Sequence, residues 1–186
     1  MYFEEDIIKL TLSNEIILEK EIIKTKFKKS EFKNMAFLEC EFEDVVFEQC
    51  KFDSIKLENV KLNGVVFKNC EFKNINFSKI SKFIIDFKVM NSFMKFCIFD
   101  NLELKGIEFM ENNLEECIFQ NCLLNNAKFN KSKFINTEFN DCVLEKADLS
   151  SCTGLEIDIM KNKLKGAKIS LEIAIGIVEK FGIEIV

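Results

Sequence analysis

A large apolar side chain returns at every fifth position over most of this chain. The series runs from Phe27 to Phe77, and after an irregular stretch it resumes at Phe99 and continues to Leu149. The residue two positions before each of these is nearly always small or apolar. A period of five fits neither the 3.6-residue repeat of a helix nor the alternation of an ordinary strand. Fixed short periods indicate a solenoid.

The two inward positions of each five-residue unit are separated by one outward residue, as on a short strand. The other two positions hold mostly Lys, Glu, Asn, Asp, Ser or Gly, which are suited to turns. Repeated strands and turns wind a chain around an axis, and four sides close a square of twenty residues. The pattern therefore predicts an all-β solenoid with about 20 residues in each coil.

The cysteines agree with a twenty-residue coil. All eight fall in the smaller inward series, and three pairs are twenty residues apart: Cys50 and Cys70, Cys97 and Cys117, Cys122 and Cys142. We expect each pair to stack about 4.8 Å apart, the spacing of neighbouring strands. Buried reduced thiols are favoured over disulfides, and no histidine or CxxC pair is available to form a zinc site.

The repeat unit resembles that of the pentapeptide-repeat family, in which a small residue, a polar residue and a central Leu or Phe precede two polar residues. Matching units are CEFED (40–44), CKFDS (50–54), CEFKN (70–74), AKFNK (127–131) and ADLSS (147–151). The resemblance implies a right-handed quadrilateral β-helix. The C-terminal end is most similar to that of the quinolone-resistance branch of the family, whose members dimerise there.

The phase of the repeat divides the chain into three parts. Residues 1–24 keep large apolar residues in phase but lose the small series, which predicts an N-terminal cap with a hairpin turning at Ser13-Asn14. Residues 25–169 form the β-helix. Its irregular stretch at 78–96 is either a bulge or a small protruding loop. Gly154 takes a large position, and Leu155 is expected to fill the gap.

Residues 170–186 predict a helix followed by a short strand. Ser170 is suited to the N-cap and Gly182 to the C-terminal stop. One helical face carries apolar residues, and alternation then predicts the strand; together the candidates for a dimer interface are Ile173, Ile177, Phe181, Ile183 and Ile185. A homodimer formed through this end is predicted, and capping of the coil alone is the alternative.

Composition argues against several functions. The chain has no His and no Arg, and all 26 basic residues are Lys. We find no candidate nucleophile, acid–base pair or phosphate loop, so we expect no enzymatic activity, cofactor or small-molecule substrate. Arg is the usual residue for bidentate base and phosphate contacts, so direct nucleic-acid binding is not expected. No apolar run could cross a membrane and no signal peptide is visible, which favours a cytoplasmic location.

Acidic residues are concentrated in the second half of the chain. Residues 99–151 carry ten acidic residues and five Lys, within a net charge of −5 for the whole protein. Those chosen as a candidate partner-facing surface are Glu103, Glu108, Glu111, Glu115, Glu116, Glu138 and Asp141.

Two functional hypotheses follow. The first is a non-catalytic rod that binds a protein partner through its regular surface. The second comes from the resemblance to the quinolone-resistance branch, which implies an acidic dimeric rod that mimics DNA and occupies the DNA-binding site of a type II topoisomerase, DNA gyrase or topoisomerase IV. Modest acidity and interleaved Lys weaken the second hypothesis.

Overall fold

The computed structural model describes residues 6–185, which wind as a solenoid of about eight coils. Short parallel strands stack from coil to coil along four faces. Phe27 lies opposite Phe47, and Phe52 lies opposite Phe72, so strands twenty residues apart are neighbours. This register confirms the predicted all-β solenoid with four sides and twenty residues per coil.

Face 1 and face 2 carry most of the regular strands. On face 1 the strands are β1 (Asp6–Ile8), β5 (Lys26–Lys28), β9 (Val46–Glu48), the second half of β12 (Lys61–Lys68), β14 (Ile85–Met90), β17 (Glu108–Met110), β22 (Asp148–Leu149) and β23 (Lys168–Ile169). On face 2 they are β2 (Thr11–Ser13), β6 (Glu31–Lys33), β10 (Lys51–Asp53), β13 (Glu71–Lys73), β15 (Phe93–Lys95), β18 (Asn113–Glu115) and β20 (Lys133–Ile135).

Faces 3 and 4 are less regular. Face 3 consists of β3 (Ile16–Leu18), β7 (Ala36–Leu38), β11 (Lys56–Glu58), a 3-10 helix (Phe77–Lys79), β16 (Ile98–Asp100), β19 (Ile118–Gln120) and β21 (Glu138–Asn140). Face 4 begins with β4 (Glu21–Ile23), β8 (Glu41–Glu43) and the first half of β12. It continues through single bridges that join Glu103, Leu123, Val143 and Lys163.

Phenylalanine rings fill the centre of the coils. On face 3 Phe99 stacks on Phe77 and on Phe119, with centroid distances of 4.7 and 4.6 Å. Phe119 in turn stacks on Phe139 at 4.7 Å and contacts Phe129 edge to face at 6.0 Å. Offset stacking and edge-to-face contacts are the favoured aromatic geometries, so one apolar core runs through all the coils.

A column of small polar side chains accompanies this core where face 1 turns into face 2. Its members are Ser30, Cys50, Cys70, Ser92, Asn112, Ser132 and Cys152, all buried. Ser92 N–H donates to Asn112 Oδ1 at 2.8 Å, and Asn112 Nδ2 donates to the Val89 carbonyl at 2.8 Å. Asn112 N–H donates to Ser132 Oγ at 3.1 Å. These side chains therefore satisfy turn backbone groups that the ladder leaves unpaired.

Residues 6–24 form a coil rather than a hairpin. Thr11–Ser13 pairs in parallel with Glu31–Lys33, and Ile16–Leu18 pairs in parallel with Ala36–Leu38. The predicted hairpin at Ser13-Asn14 is therefore wrong. Asn14 has a φ of 59° and forms an ordinary corner of the solenoid, because the large apolar series already holds this segment in phase.

The irregular stretch at 78–96 widens one coil by two residues. Phe72 lies opposite Met94, which is a step of 22 rather than 20. The extra residues follow the 3-10 helix, and the ladder is bulged between Leu62 and Val65 opposite them. Phe83 is 87 % exposed, whereas Phe87 is buried and restores the phase. The stretch is thus a bulge with a small exposed tip.

The predicted C-terminal helix is present as α1 (Leu171–Glu179), whose Ile173 N–H donates to Ser170 Oγ at 3.3 Å. Leu155 is buried, as predicted, beside Gly154. A Cβ on Gly154 would lie 2.4 Å from the Phe134 carbonyl oxygen, so this position requires glycine. Within the described residues no strand follows α1, so the strand predicted at Ile183 and Ile185 is not formed.

Candidate protein-binding surface

The predicted acidic residues are spread around the solenoid rather than gathered on one side. Glu103 lies on face 4, Glu108 on face 1, Glu115 on face 2 and Glu138 on face 3. The other three, Glu111, Glu116 and Asp141, occupy corners with positive φ. A five-residue period moves each successive unit to the next face, so residues close in sequence diverge in direction.

Lysines on the same or neighbouring coils pair with most of these carboxylates. Glu108 is bridged by Lys88 at 3.1 Å and Lys128 at 3.0 Å, and Lys131 contacts Glu111 at 3.1 Å. Hydrogen bonds from Lys128 and then Lys88 lower the pKa of Glu108, which therefore stays ionised. This alternation of charge leaves little unbalanced negative field on face 1.

The remaining acidic residues of the predicted set also form ion pairs or hydrogen bonds. Lys105 contacts Glu103 at 3.1 Å. Asn140 Nδ2 donates to Glu138 Oε2 at 3.0 Å, and Gln120 Nε2 donates to Asp141 Oδ2 at 3.1 Å. Within residues 6–185 neither Glu138 nor Asp141 forms an ion pair with a lysine, so these two members of the set contribute most to a negative surface.

Lys95 joins two acids to an exposed aromatic ring. Its Nζ contacts the carboxylate of Glu115 and lies 3.7 Å from that of Glu116. The same Nζ lies 4.9 Å from the ring centroid of Phe96, a cation–π distance. Hydrogen bonding to Glu115 raises the pKa of Lys95, so its ammonium group stays charged at neutral pH.

Sequence reasoning missed an apolar patch beside the ion pair of Lys95 and Glu115. Phe96 is 40 % exposed, and Ile98 and Ile118 are each 36 % exposed. Ile98 and Ile118 are direct neighbours on face 3. The signal was present in the sequence, because Ile98 and Ile118 stand immediately before inward Phe residues, where an outward side chain is expected.

The cysteines are buried free thiols in the predicted stacked positions. Cys70 Sγ donates to the Phe47 carbonyl at 3.3 Å, and Cys142 Sγ to the Phe119 carbonyl at 3.3 Å. Hydrogen bonding to Cys117, and then burial, raises the pKa of Cys97, while burial raises the pKa of Cys152 to about 12. The thiols of Cys97 and Cys152 therefore pack as small apolar groups and are poor nucleophiles.

Within residues 6–185 no group of three His, Cys, Asp or Glu side chains is arranged to hold a metal ion. The space inside the first coils is lined by apolar side chains such as Ile7, Leu12, Ile17 and Phe27, together with the charged Lys20. A small-molecule site needs several placed polar groups to orient its ligand.

The C-terminal candidates divide into buried and exposed residues. Ile173 is 3 % exposed and seals the chain's own core, so it is not free to contact a second chain. Ile177 is partly buried against the same core. Phe181, Ile183 and Ile185 are more than half exposed. Leu171, which sequence reasoning did not select, is 76 % exposed.

No helix within residues 6–185 combines the length and the apolar character needed to cross a bilayer.

The stacked coils and the five-residue unit define a β-solenoid protein of the pentapeptide class. A family profile described as the pentapeptide repeat region matches residues 20–89 and 92–169. The chain belongs to the pentapeptide repeat family, as its repeat units predicted. A search of curated proteins finds no match.

Two solved structures share the fold at low sequence identity. A trypsin-treated form of QnrB1, a plasmid-mediated fluoroquinolone resistance protein, is 17 % identical with a TM-score of 0.67, and the match covers 98 % of this chain and 100 % of that one. A second trypsin-treated form gives 18 % identity and a TM-score of 0.66 over 97 % and 99 % of the two chains. HetL of the cyanobacterium Nostoc sp. strain PCC 7120 is 10 % identical over 89 % and 85 %, with a TM-score of 0.31.

Proposed function

We propose that this protein is a non-catalytic binding rod whose outer faces recognise a protein partner. The observation that carries the proposal is the regular surface lattice that surrounds the aromatic core. Each outward side chain has a neighbour one coil away in fixed register, as Lys51 has in Glu31 and Glu71. Such a lattice presents an extended and regular surface, which is what solenoids use to bind proteins.

Two predictions about this function concern the oligomer and the partner. The first is a homodimer formed through the C-terminal end. The exposed side chains of Leu171, Phe181, Ile183 and Ile185 are more apolar surface than capping requires. We expect Ile183→Glu combined with Ile185→Glu to convert a dimer to a monomer, because two charges would enter an apolar interface.

Light scattering after size-exclusion chromatography measures this mass. The control is Phe83→Glu, whose residue is equally apolar and more exposed but lies on the distant bulge. An unchanged dimer in the double variant, or a wild-type monomer across the concentration range, would remove the C-terminal interface from the account.

In the second candidate function, the protein partner is a type II topoisomerase. The match to QnrB1, a fluoroquinolone resistance protein, along nearly the whole of both chains favours it, because fluoroquinolones act on type II topoisomerases. The charges weigh against it, because Lys88 and Lys128 neutralise Glu108 within a mixed surface. A DNA mimic needs a field that a basic groove recognises in place of phosphates.

A supercoiling assay separates the two functions. Purified DNA gyrase and topoisomerase IV are assayed with and without a fluoroquinolone, at protein concentrations up to the high micromolar range. A DNA mimic inhibits supercoiling or relieves the drug, and Glu115→Lys combined with Glu116→Lys abolishes that effect. No effect at any concentration leaves the general protein-binding rod and excludes the topoisomerase.

The charge-reversed double variant should fold normally. Glu115 and Glu116 are partly exposed, and ion pairs at a solvated surface contribute little to stability. We expect its circular dichroism spectrum and its melting temperature to stay close to those of the wild type. A loss of structure would mean that the assay reports unfolding rather than a lost contact.

A further inference from the structure

Phe96 has a backbone conformation that polar residues adopt at the equivalent corners of the other coils. It has a φ of 56°, in the left-handed region. Among the non-glycine residues of 6–185 with positive φ, it is the one with an apolar side chain. Bulky residues are disfavoured in this region, and such outliers collect at functional sites.

The equivalent corners of other coils show what the fold itself prefers. Residues at the turn from face 2 to face 3 are Asn14, Asn34, Ser54, Asn74, Phe96, Glu116 and Asn136. Asn is the residue that tolerates the left-handed region best after glycine. The fold therefore has a better residue for this corner, and burial in the core does not explain the choice of Phe, because Phe96 remains 40 % exposed.

The corner at Phe96 leads into β16, whose exposed Ile98 begins an apolar column bounded by polar residues. Ile118, which is paired with Ile98, continues this column along face 3. The same column is closed by Asn76, which bridges to Ile98, and by Glu138, which is paired with Ile118. An exposed aromatic side chain surrounded by a polar rim is the usual form of an interaction hot spot.

The rim of this surface is negative. Glu115, Glu116 and Glu138 border it, and Asp100 follows Ile98 on the same strand. Lys95 is the cation against the ring, and Glu115 and Glu116 already hold it. These five side chains sum to a charge of −3, four acids against one lysine.

We propose that the corner at Phe96 is the docking site for a protein partner that offers an apolar pocket for one aromatic ring, bordered by Lys or Arg side chains. The inference rests on the proposed binding function and names the surface that performs it. Charge complementarity selects a basic partner, because a neutral or acidic surface would leave Asp100 and Glu138 facing no cation. Phe96 enters the pocket, and Ile98 and Ile118 exclude water around it.

The melting temperature of a Phe96 variant distinguishes a binding role of this residue from a structural one. We expect Phe96→Asn to raise the melting temperature by about 2–4 °C, since the corner then holds the residue that suits its backbone. The same change should weaken partner binding at least tenfold. A lower melting temperature would show that Phe96 supports the fold and would overturn its assignment as an anchor.

Site-specific photocrosslinking in the cells that produce this protein identifies the partner. A benzophenone side chain replaces Phe96 in one variant, Phe83 in a second and one outward residue of each other face in further variants. We expect the variant at 96 to cross-link one other protein and the variant at 83 to give none. The purified partner then binds the wild type with an affinity that falls as salt is raised.

Affinity measured by calorimetry with that purified partner completes the test. Phe96→Asn and the pair Glu115→Lys with Glu116→Lys should each lower affinity at least tenfold, while Phe83→Ala leaves it unchanged. Cross-links to a second copy of this chain, or unaltered affinity in Phe96→Asn, overturn the docking site. Cross-links from other faces alone overturn it and keep the binding rod. An absence of cross-links from every face overturns both proposals.

Discussion

Replacing Phe119 with alanine is expected to lower the free energy of unfolding by about 3–5 kcal/mol. Phe119 is fully buried, stacks between Phe99 and Phe139, and meets Phe109 and Phe129 edge to face. The residues above and below are held by the ladder on four faces, so the coil cannot collapse into the cavity. The variant therefore loses the transfer free energy of burying the ring, and it also carries the free-energy cost of the cavity.

Denaturant unfolding followed by circular dichroism measures this change. Phe83→Ala is the matched control, because the same ring is removed from a site that is 87 % exposed. Changes at exposed positions usually stay within about 0.5 kcal/mol. Equal stability of the Phe119→Ala variant and the wild type would contradict the inward stacking of this series.

The second large effect is expected at the buried polar column. Asn112→Ala removes the acceptor of the Ser92 N–H and the side-chain donor to the Val89 carbonyl. A buried polar group that loses its partner costs about 1–3 kcal/mol, so two such groups predict a loss of about 2–6 kcal/mol. Water cannot readily replace the amide, since Asn112 is 2 % exposed.

Asn112→Ser is the matched variant for this prediction. In the same column Ser132 Oγ donates to the Phe109 carbonyl and accepts from the N–H of Asn112. A serine at 112 would occupy the same position one coil earlier, so most of the stability should return. If Asn112→Ala and Asn112→Ser were equally unstable, the hydrogen bonds would not be the source of the effect.

The architecture was predictable because a single physical requirement repeats along the chain. Each unit must bury one large side chain, and Phe47, Phe67 and their equivalents mark that position without ambiguity. The first coil was misread as a hairpin because its small series is polar at Glu15 and Lys20, although Ile17 keeps the phase. The unbroken phase of the large apolar series predicts the first coil correctly, whereas the interrupted small series does not.

The surface was less predictable than the core. Outward residues carry no periodic constraint, so the acidic set was chosen by proximity in sequence, and the solenoid distributes Glu108, Glu115 and Glu138 over three faces. The role of Phe96 could not be predicted from the sequence for a related reason. Its significance depends on a backbone angle that becomes known only when the corners of successive coils can be compared.

The strand predicted from Ile183 and Ile185 failed for a different reason. Alternation alone does not make a strand, because the backbone of residues 183–185 needs a partner edge. Within the described residues the coil beneath α1 offers none to them, and they remain irregular. Local pattern was sufficient for the helix, where the hydrogen bonds are internal, and insufficient for the strand.

The distance between spin labels at Glu31 and Lys133 tests the stacked coil directly. Both positions are exposed on face 2, and five in-register steps separate them, through Lys51, Glu71, Phe93 and Asn113. With about 4.8 Å for each step, the backbones lie about 24 Å apart although the two residues are 102 positions apart in the sequence. Pulsed electron paramagnetic resonance should give one narrow distribution near that value once label length is included. A broad distribution, or a centre beyond about 40 Å, would contradict the solenoid on which the binding surface depends.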